Sequence, residues 1–325
     1  MVRGSYAWER ARFLLITVVM LLIPVVAPVT AAQSGDLAGE IAFVRDGDVW
    51  VWTPDGSEAV VESGAAMDAS LSPTGDAVAY IESGGSFSNL VIFDRETERN
   101  TRITDNEPFV ESGSPDYVAS SSWAIDPSWS ASGRLGFISD RDAPDRLMQL
   151  WLVEANARNP RIAPGNGQDA GSIEHLELSR DGSSAVYTVL AAGGPEGGTT
   201  YVALRDFRAE ETYPIAEGVQ GAYDPTLSPD GSRVVVSIRD EAGISDLWII
   251  EIESGVASRL TQGLQATNAT WSPDGRSLAY MTPNDQSFTI WVAPIDAEQQ
   301  MLSGEPRKLV EEPGIDATSG MSWIE

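Results

Sequence analysis

Short runs of alternating apolar and polar residues recur along the chain, each interrupted by the same turn chemistry. Residues 268–280 (NATWSPDGRSLAY) set the pattern. Residues 269–272 are a short β-prone run, and 277–280 a second one. Between them Pro273-Asp274-Gly275 reads as a tight turn, with glycine supplying the positive φ that other residues resist. The pattern returns at 224–236 (DPTLSPDGSRVVV) and 68–80 (DASLSPTGDAVAY). It is shortened at 126–137 (DPSWSASGRLGF) and degenerate at 175–187 (HLELSRDGSSAVY). The turn glycines Gly75, Gly133, Gly182, Gly231 and Gly275 are 58, 49, 49 and 44 residues apart. Several short strands in each repeat of this length predict propeller blades.

Each copy continues alike. A further apolar run follows at 90–93, 150–153, 201–204, 247–252 and 290–294, then a polar turn and a last short run such as 101–104 or 258–261. That makes four strands per unit. Trp129, Trp151, Trp248, Trp271 and Trp291 fall in these strands, where large rings fill the wedge between stacked sheets. Residues 39–43 (GEIAF) match 133–137 (GRLGF) from the turn glycine onward, so the first unit lacks its first strand. The end of the chain, 318–325 (TSGMSWIE), carries a lone run at Met321-Ser322-Trp323 that resembles Ala269-Thr270-Trp271. The expected fold is therefore an all-β, six-bladed propeller of four-stranded blades, the first blade completed by the C-terminal strand. Such closure removes two exposed sheet edges. Asp46-Gly47-Asp48 reads as a hairpin turn of type I′ or II′. Residues 105–122 and the Gly-rich 192–199 are expected to be blade-loop insertions. The latter lacks the Lys-Ser/Thr of a phosphate loop. No long helical period is present, so almost no helix is expected.

Composition narrows the chemistry. The chain has 325 residues, 42% of them hydrophobic, enough for one closed propeller as a single domain. It has no cysteine, which excludes disulfides, a thiol nucleophile and a lipid-modified cysteine. A formal net charge of −27 opposes any nucleic-acid backbone. Arg3, Arg10 and Arg12 precede a 17-residue apolar run, 13–29, and then Val29-Thr30-Ala31, the pattern of a secretory signal peptide. The run contains Pro24 and Pro28 and is short for a membrane span, although an uncleaved anchor is the alternative. Cleavage after residue 31 removes three Arg and one Glu, taking −27 to −29. The expected organisation is a signal peptide over 1–32, a linker over 33–38 and the propeller over 39–325. This places the propeller outside the cytoplasm, in a periplasm, on a surface or released. With the signal removed no membrane span remains, and a monomer is expected.

The repeated Ser-Pro-Asp-Gly turn followed by an apolar strand resembles the TolB-like (WD-repeat-like) β-propeller family. Residues 137–142 (FISDRD) with 150–153, and 247–252 with 258–261, are similar to the same repeat. The resemblance covers about residues 39–325. It implies the fold and leaves function open, because such repeats occur in the periplasmic Tol–Pal envelope protein, in oligopeptidases and in other secreted proteins. This chain departs from those proteins in lacking an N-terminal α/β domain and a hydrolase domain.

Catalytic signatures are scarce. His175 is the one histidine, which rules out a two-histidine zinc site. There is no Gly-x-Ser-x-Gly elbow and no Ser-x-x-Lys. A glycosidase-type carboxylate pair stays open among 48 acidic residues. Aligning the repeats brings out one constellation just before each inner strand: Asp68, Asp126, His175, Asp224 and Asn268, with Gly320 at the closing strand. Equivalent positions form a ring at the channel mouth. Such a ring suits a hard cation such as Ca²⁺ or a basic or amine-bearing group of a partner. The competing reading is that these residues cap the strand starts through their own backbone. Asp140, Asp142 and Asp145 form a loop cluster that could hold a metal or simply be solvated. No cofactor other than a cation is implied. The function expected is a non-catalytic module that binds or scaffolds a protein, peptide or cell-envelope component through one face and the channel mouth. The alternatives are a carboxylate-pair glycosidase and the propeller subunit of a peptidase.

Overall fold

The computed structural model describes residues 37–325, apart from 115, 144–146, 155–160, 163–170, 195–196 and 216–220. The expected signal peptide, most of the linker and Asp145 lie outside the described residues.

The Ser-Pro-Asp-Gly turn explains how each blade begins. At 272–277 the Ser272 amide donates to the Ser277 carbonyl at 2.9 Å and the Gly275 amide to the Ser272 carbonyl at 2.8 Å. The Ser272 hydroxyl accepts from the Ser277 amide at 2.9 Å and donates to Asp274 at 2.7 Å. Ser228 with Asp230 and Ser179 with Asp181 repeat this lock. The first hairpin turns differently. Asp46 and Gly47 have φ of 52° and 79°, two successive left-handed residues as a type I′ turn requires.

Six antiparallel sheets follow in chain order. The first holds β1 (Glu40–Arg45), β2 (Asp48–Thr53) and β3 (Gly56–Val61). The second blade is β4 (Ala66–Leu71), β5 (Ala77–Ser83), β6 (Ser88–Asp94) and β7 (Arg99–Arg102). The third is β8 (Ala124–Trp129), β9 (Arg134–Ser139), β10 (Gln149–Glu154) and β11 (Arg161–Ile162). The fourth is β12 (Gly171–Leu178), β13 (Ser184–Gly194), β14 (Gly197–Asp206) and β15 (Glu211–Pro214). The fifth is β16 (Ala222–Leu227), β17 (Arg233–Arg239), β18 (Ser245–Glu251) and β19 (Ala257–Arg259). The sixth is β20 (Thr267–Trp271), β21 (Ser277–Pro283) and β22 (Phe288–Asp296), whose outer edge pairs with both β23 (Met301–Leu302) and β24 (Arg307–Val310). The last strand, β25 (Ser322–Ile324), returns to β1 with Ile41 opposite Trp323 and Ala42 opposite Ser322. The expected six-bladed ring, closed by the last strand of the chain, is thus the fold. The single helical turn among the described residues is the 3-10 turn Val118–Ser120, inside the 105–122 insertion.

Packing holds the ring together at the seams. The apolar core is divided into six clusters, each straddling two neighbouring blades. Val49 and Val51 meet Val78 and Tyr80. Ile81 and Leu90 meet Phe137 and Trp151. Ile138 and Leu150 meet Tyr187 and Val189. Val186 and Val202 meet Val234 and Val236. Ile249 meets Trp271 and Tyr280. Met281 and Ile290 meet Ile41, Phe43 and Trp323. Trp151 and Trp271 are buried in these seams, while Trp129, Trp248 and Trp291 pack against them half-buried, as the repeat pattern predicts.

Candidate functional site

The channel at the centre of the ring is the candidate site. The sequence places Asp68, Asp126, His175, Asp224 and Asn268 before their inner strands, and the structure corrects this. Each lies inside its strand, at a register shift against the second strand of its blade. Each has a left-handed backbone, with φ of 43°, 51°, 56°, 49° and 48° in that order. The extra residue of a β-bulge demands such a conformation, and Asp, Asn and His tolerate it best after glycine. The residue types in the ring are therefore selected first by backbone geometry. The bulge then aims their side chains along the wall toward the next blade.

Those side chains form a relay around the ring. The Asp126 amide donates to Asp68 Oδ2 at 3.1 Å, and the His175 amide to Asp126 Oδ2 at 2.7 Å. His175 Nε2 lies 3.1 Å from Asp224 Oδ1, and Thr267 Oγ1 donates to Asp224 Oδ2 at 2.6 Å. Asn268 Nδ2 donates to the Ala317 carbonyl, and Ser319 Oγ accepts from the Asp68 amide at 3.2 Å, which completes the circuit. The alternative of caps on their own strand starts is thereby replaced by stitching between blades.

A second tier lies two residues deeper. Ser70 Oγ accepts from the Trp129 amide at 3.1 Å, Ser128 Oγ from Leu178 at 2.9 Å and Ser322 Oγ from Leu71 at 3.2 Å. Glu177 stands at the equivalent position of β12 and takes the Leu227 amide at 3.2 Å through Oε1. Ser70, Ser128, Thr226, Thr270 and Ser322 occupy this position in the other blades, so one carboxylate replaces a repeated hydroxyl. At the far end of the channel Arg180 reaches across the bore. Its guanidinium donates to the Pro273 carbonyl at 2.9 Å and to Glu325 at 3.3 Å. Apart from Thr226, both tiers and the Arg180 bar line one cavity of about 260 Å³.

Burial and charge decide how these groups ionise. Asp68 is pushed up to about 8, first by loss of water and then by the charge of Asp126. Asp126 is raised by burial, against the pull of His175. Burial works to lower His175, but the combined charges of Asp224, Asp126, Glu174 and Asp68 outweigh it and hold the imidazole above its ordinary value. Glu177 is pushed up to about 7 by burial, opposed by its hydrogen bonds. Two carboxyls of the channel wall, Asp68 and Glu177, are therefore raised into the neutral range by burial.

The loop cluster resolves differently. Asp140 is buried and accepts the Trp123 amide at 2.7 Å, a structural bond. Asp142 is exposed beside Arg141. Among the described residues no group of three or more acidic or histidine side chains is placed to hold a metal ion. Sequence reasoning missed Glu177 and Arg180. The available signal was their departure from Ser or Thr, and from Pro or Ala, at aligned repeat positions.

Comparisons agree on fold. No protein-family model matches the chain. An uncharacterised protein of Agrobacterium fabrum is 32% identical over 103 residues, 31% of this chain and 34% of that protein. An uncharacterised peptidase of Bacillus subtilis is 32% identical over 100 residues, 28% of this chain and 14% of that protein. The matches thus span about a third or less of these relatives. Among solved structures, TolB from Acinetobacter baumannii superposes with a TM-score of 0.67 at 18% identity, over 89% of this chain and 67% of that one. A putative TolB from Agrobacterium tumefaciens gives 0.63 at 12% identity, over 90% and 100%. An oligogalacturonate lyase from Vibrio parahaemolyticus gives 0.52 at 12% identity, over 85% and 74%. With its six seam-packed blades and its returning last strand, the chain is, in fold, a TolB-like β-propeller.

Proposed function

We propose that the protein is an exported, non-catalytic propeller that binds a basic or amine-bearing segment of a protein, peptide or cell-envelope component at its channel mouth. The observation that carries this reading is the cavity of about 260 Å³ lined by Asp68, Asp126, Glu177 and Asp224. A cationic group entering it draws these raised carboxyls toward ionisation and pairs with them where low local polarity strengthens the attraction. The net charge of −27 adds long-range steering of basic partners. Export is supported by the signal-like segment 1–32, and the binding role by the likeness to TolB propellers. No helix among the described residues is long and apolar enough to cross a membrane.

The test is affinity capture from an envelope extract on immobilised 33–325, beside the triple variant Asp68→Asn, Asp126→Asn, Asp224→Asn. Asn keeps an acceptor oxygen for the seam bonds and removes the charge. A partner retained by the parent and lost by the variant supports the channel mouth. A partner held equally by both places the site elsewhere.

A catalytic reading has one observation in its favour: Glu177 is a carboxyl on the cavity wall, and burial raises it toward the range where a general acid–base works well. The acidic lining opposes polyanionic sugars, so a neutral glycan would be its substrate. Hydrolysis of a neutral glycan by the parent, abolished in Glu177→Gln, would favour it.

A further inference from the structure

The seam bonds leave part of the channel wall unused. In the first tier each bridging group spends one atom on its neighbour. Asp68 and Asp126 bond through Oδ2 and Asn268 through Nδ2, so three Oδ1 atoms keep no partner among the described residues. In the second tier Ser70, Ser128 and Ser322 accept amides from the next blade, and their O–H groups donate to nothing described. Thr270 goes further. It is 7% exposed and lines the cavity, and its hydroxyl has no bonding partner among the described residues. A buried hydroxyl left unpaired costs free energy, so one standing beside three idle O–H donors points to an occupant.

Size and charge narrow its kind. About 260 Å³ falls just below the range of roughly 300–1,000 Å³ that receives drug-sized ligands, and suits a single substituted ring. The Arg180 bar at the far end favours an occupant that stops short over a chain threaded through. Among the described residues no three acidic or histidine side chains are placed to share a metal ion, so the cation that suits this wall is larger. His175 Nε2 already faces Asp224, and Asp68 and Asp126 have no ion-pair partner among the described residues. The tiers are two residues apart along the inner strands, at most about 7 Å, which a pyranose with its substituents spans.

We propose, resting on the channel-mouth reading above, that the channel holds an amino sugar: its ammonium on the free oxygens of Asp68, Asp126 and Asn268, and its ring hydroxyls on the second tier of Ser70, Ser128, Thr270 and Ser322. Sugar hydroxyls both donate and accept, so they satisfy the idle O–H donors and can also donate to Glu177, the carboxyl of that tier. A polyamine offers those donors no acceptor. A peptide terminus carries its acceptors in single file along the backbone. A pyranose spreads them around a rim, as a tier drawn from several blades requires.

Titration calorimetry on the full chain at neutral pH is the test, with glucosamine, N-acetylglucosamine, glucose and methylammonium as probes. Glucosamine is expected to bind at least about tenfold more tightly than each of the others, because each of them loses the charge or the hydroxyls. Thr270→Val keeps the shape and the β-propensity of the side chain and breaks no described bond within the protein, so it should fold. It should weaken glucosamine about tenfold and leave methylammonium unchanged. Asp68→Asn with Asp126→Asn should bring glucosamine down to the level of glucose. Glucosamine binding no tighter than methylammonium, with Thr270→Val silent, would overturn the sugar assignment and leave the channel-mouth reading standing. Glucose binding as tightly as glucosamine would overturn the role of the amine, and the channel-mouth reading with it. No binding of any probe at millimolar concentration would also overturn the sugar assignment, and envelope capture on the triple variant then decides the channel-mouth reading separately.

Discussion

Trp323 carries the closure of the ring, and Trp323→Ala tests it. Its ring is 8% exposed and sits between blades, against Ile41, Phe43 and Trp52 of the first and Met281 and Ile290 of the sixth. Its indole N–H donates to the Ala38 carbonyl at 3.1 Å. Roughly 200 Å² of apolar surface at ~25 cal/mol/Å² gives about 5 kcal/mol as an upper figure. Large-to-small core replacements of Trp cost ~3–5 kcal/mol, so about 4 kcal/mol is a fair expectation. Unfolding entropy of ~2.1 cal/mol/K per residue comes to roughly 0.6 kcal/mol/K for a propeller of this length. The melting temperature should then fall by about 7 °C in calorimetry. Hydrogen exchange should rise at Glu40 and Ala42 in β1, opposite β25. Trp323→Phe keeps most of the buried area, loses the one hydrogen bond, and should cost only about 1 kcal/mol. A shift below about 2 °C for the alanine variant, with β1 protection intact, would refute the idea that β25 holds the ring shut.

Gly39 has φ of 95°, and a Cβ there would lie 2.0 Å from the Ile324 carbonyl oxygen, so Gly39→Ala should destabilise by roughly 2–4 kcal/mol in denaturant melts. Gly255, with φ of 69° and open space around it, is the control, and Gly255→Ala should cost only about 1 kcal/mol. The hydroxyl and amide bonds of the tight turns hold Asp181 down to about 2, and Asp76 is likewise lowered, first by Ser72 and Thr74. A carboxyl lowered on folding stabilises above its unfolded value of 3.8 and stops doing so as pH falls through its folded value. Melting temperature should therefore drop steeply below about pH 4, and together with the raised channel groups this puts maximum stability near pH 5 in a pH series.

Local chemistry made much of this protein legible before its structure. The Ser-Pro-Asp-Gly turns are closed by bonds within six residues, as between Ser272, Asp274 and Ser277, so their signal is complete in sequence. Alternation of apolar residues fixed which strand faces meet in the seams, because a strand presents successive side chains to opposite faces. The return of Met321-Ser322-Trp323 to the first blade was legible for the same reason, as an unmatched copy of a repeated strand. The ring residues were found by alignment, but their conformation was not. That Asp68 and its equivalents sit in bulges depends on pairing with the second strand, which composition does not encode. Their partners are 49 and 58 residues away for the His175–Asp126 and Asp126–Asp68 bonds, so only the closed circle could bring them together. The same circle turns Glu177 from one acid among 48 into a buried carboxyl on a channel wall. Ionisation there is set by exclusion of water and by neighbouring charge, and both exist only once the six blades have closed.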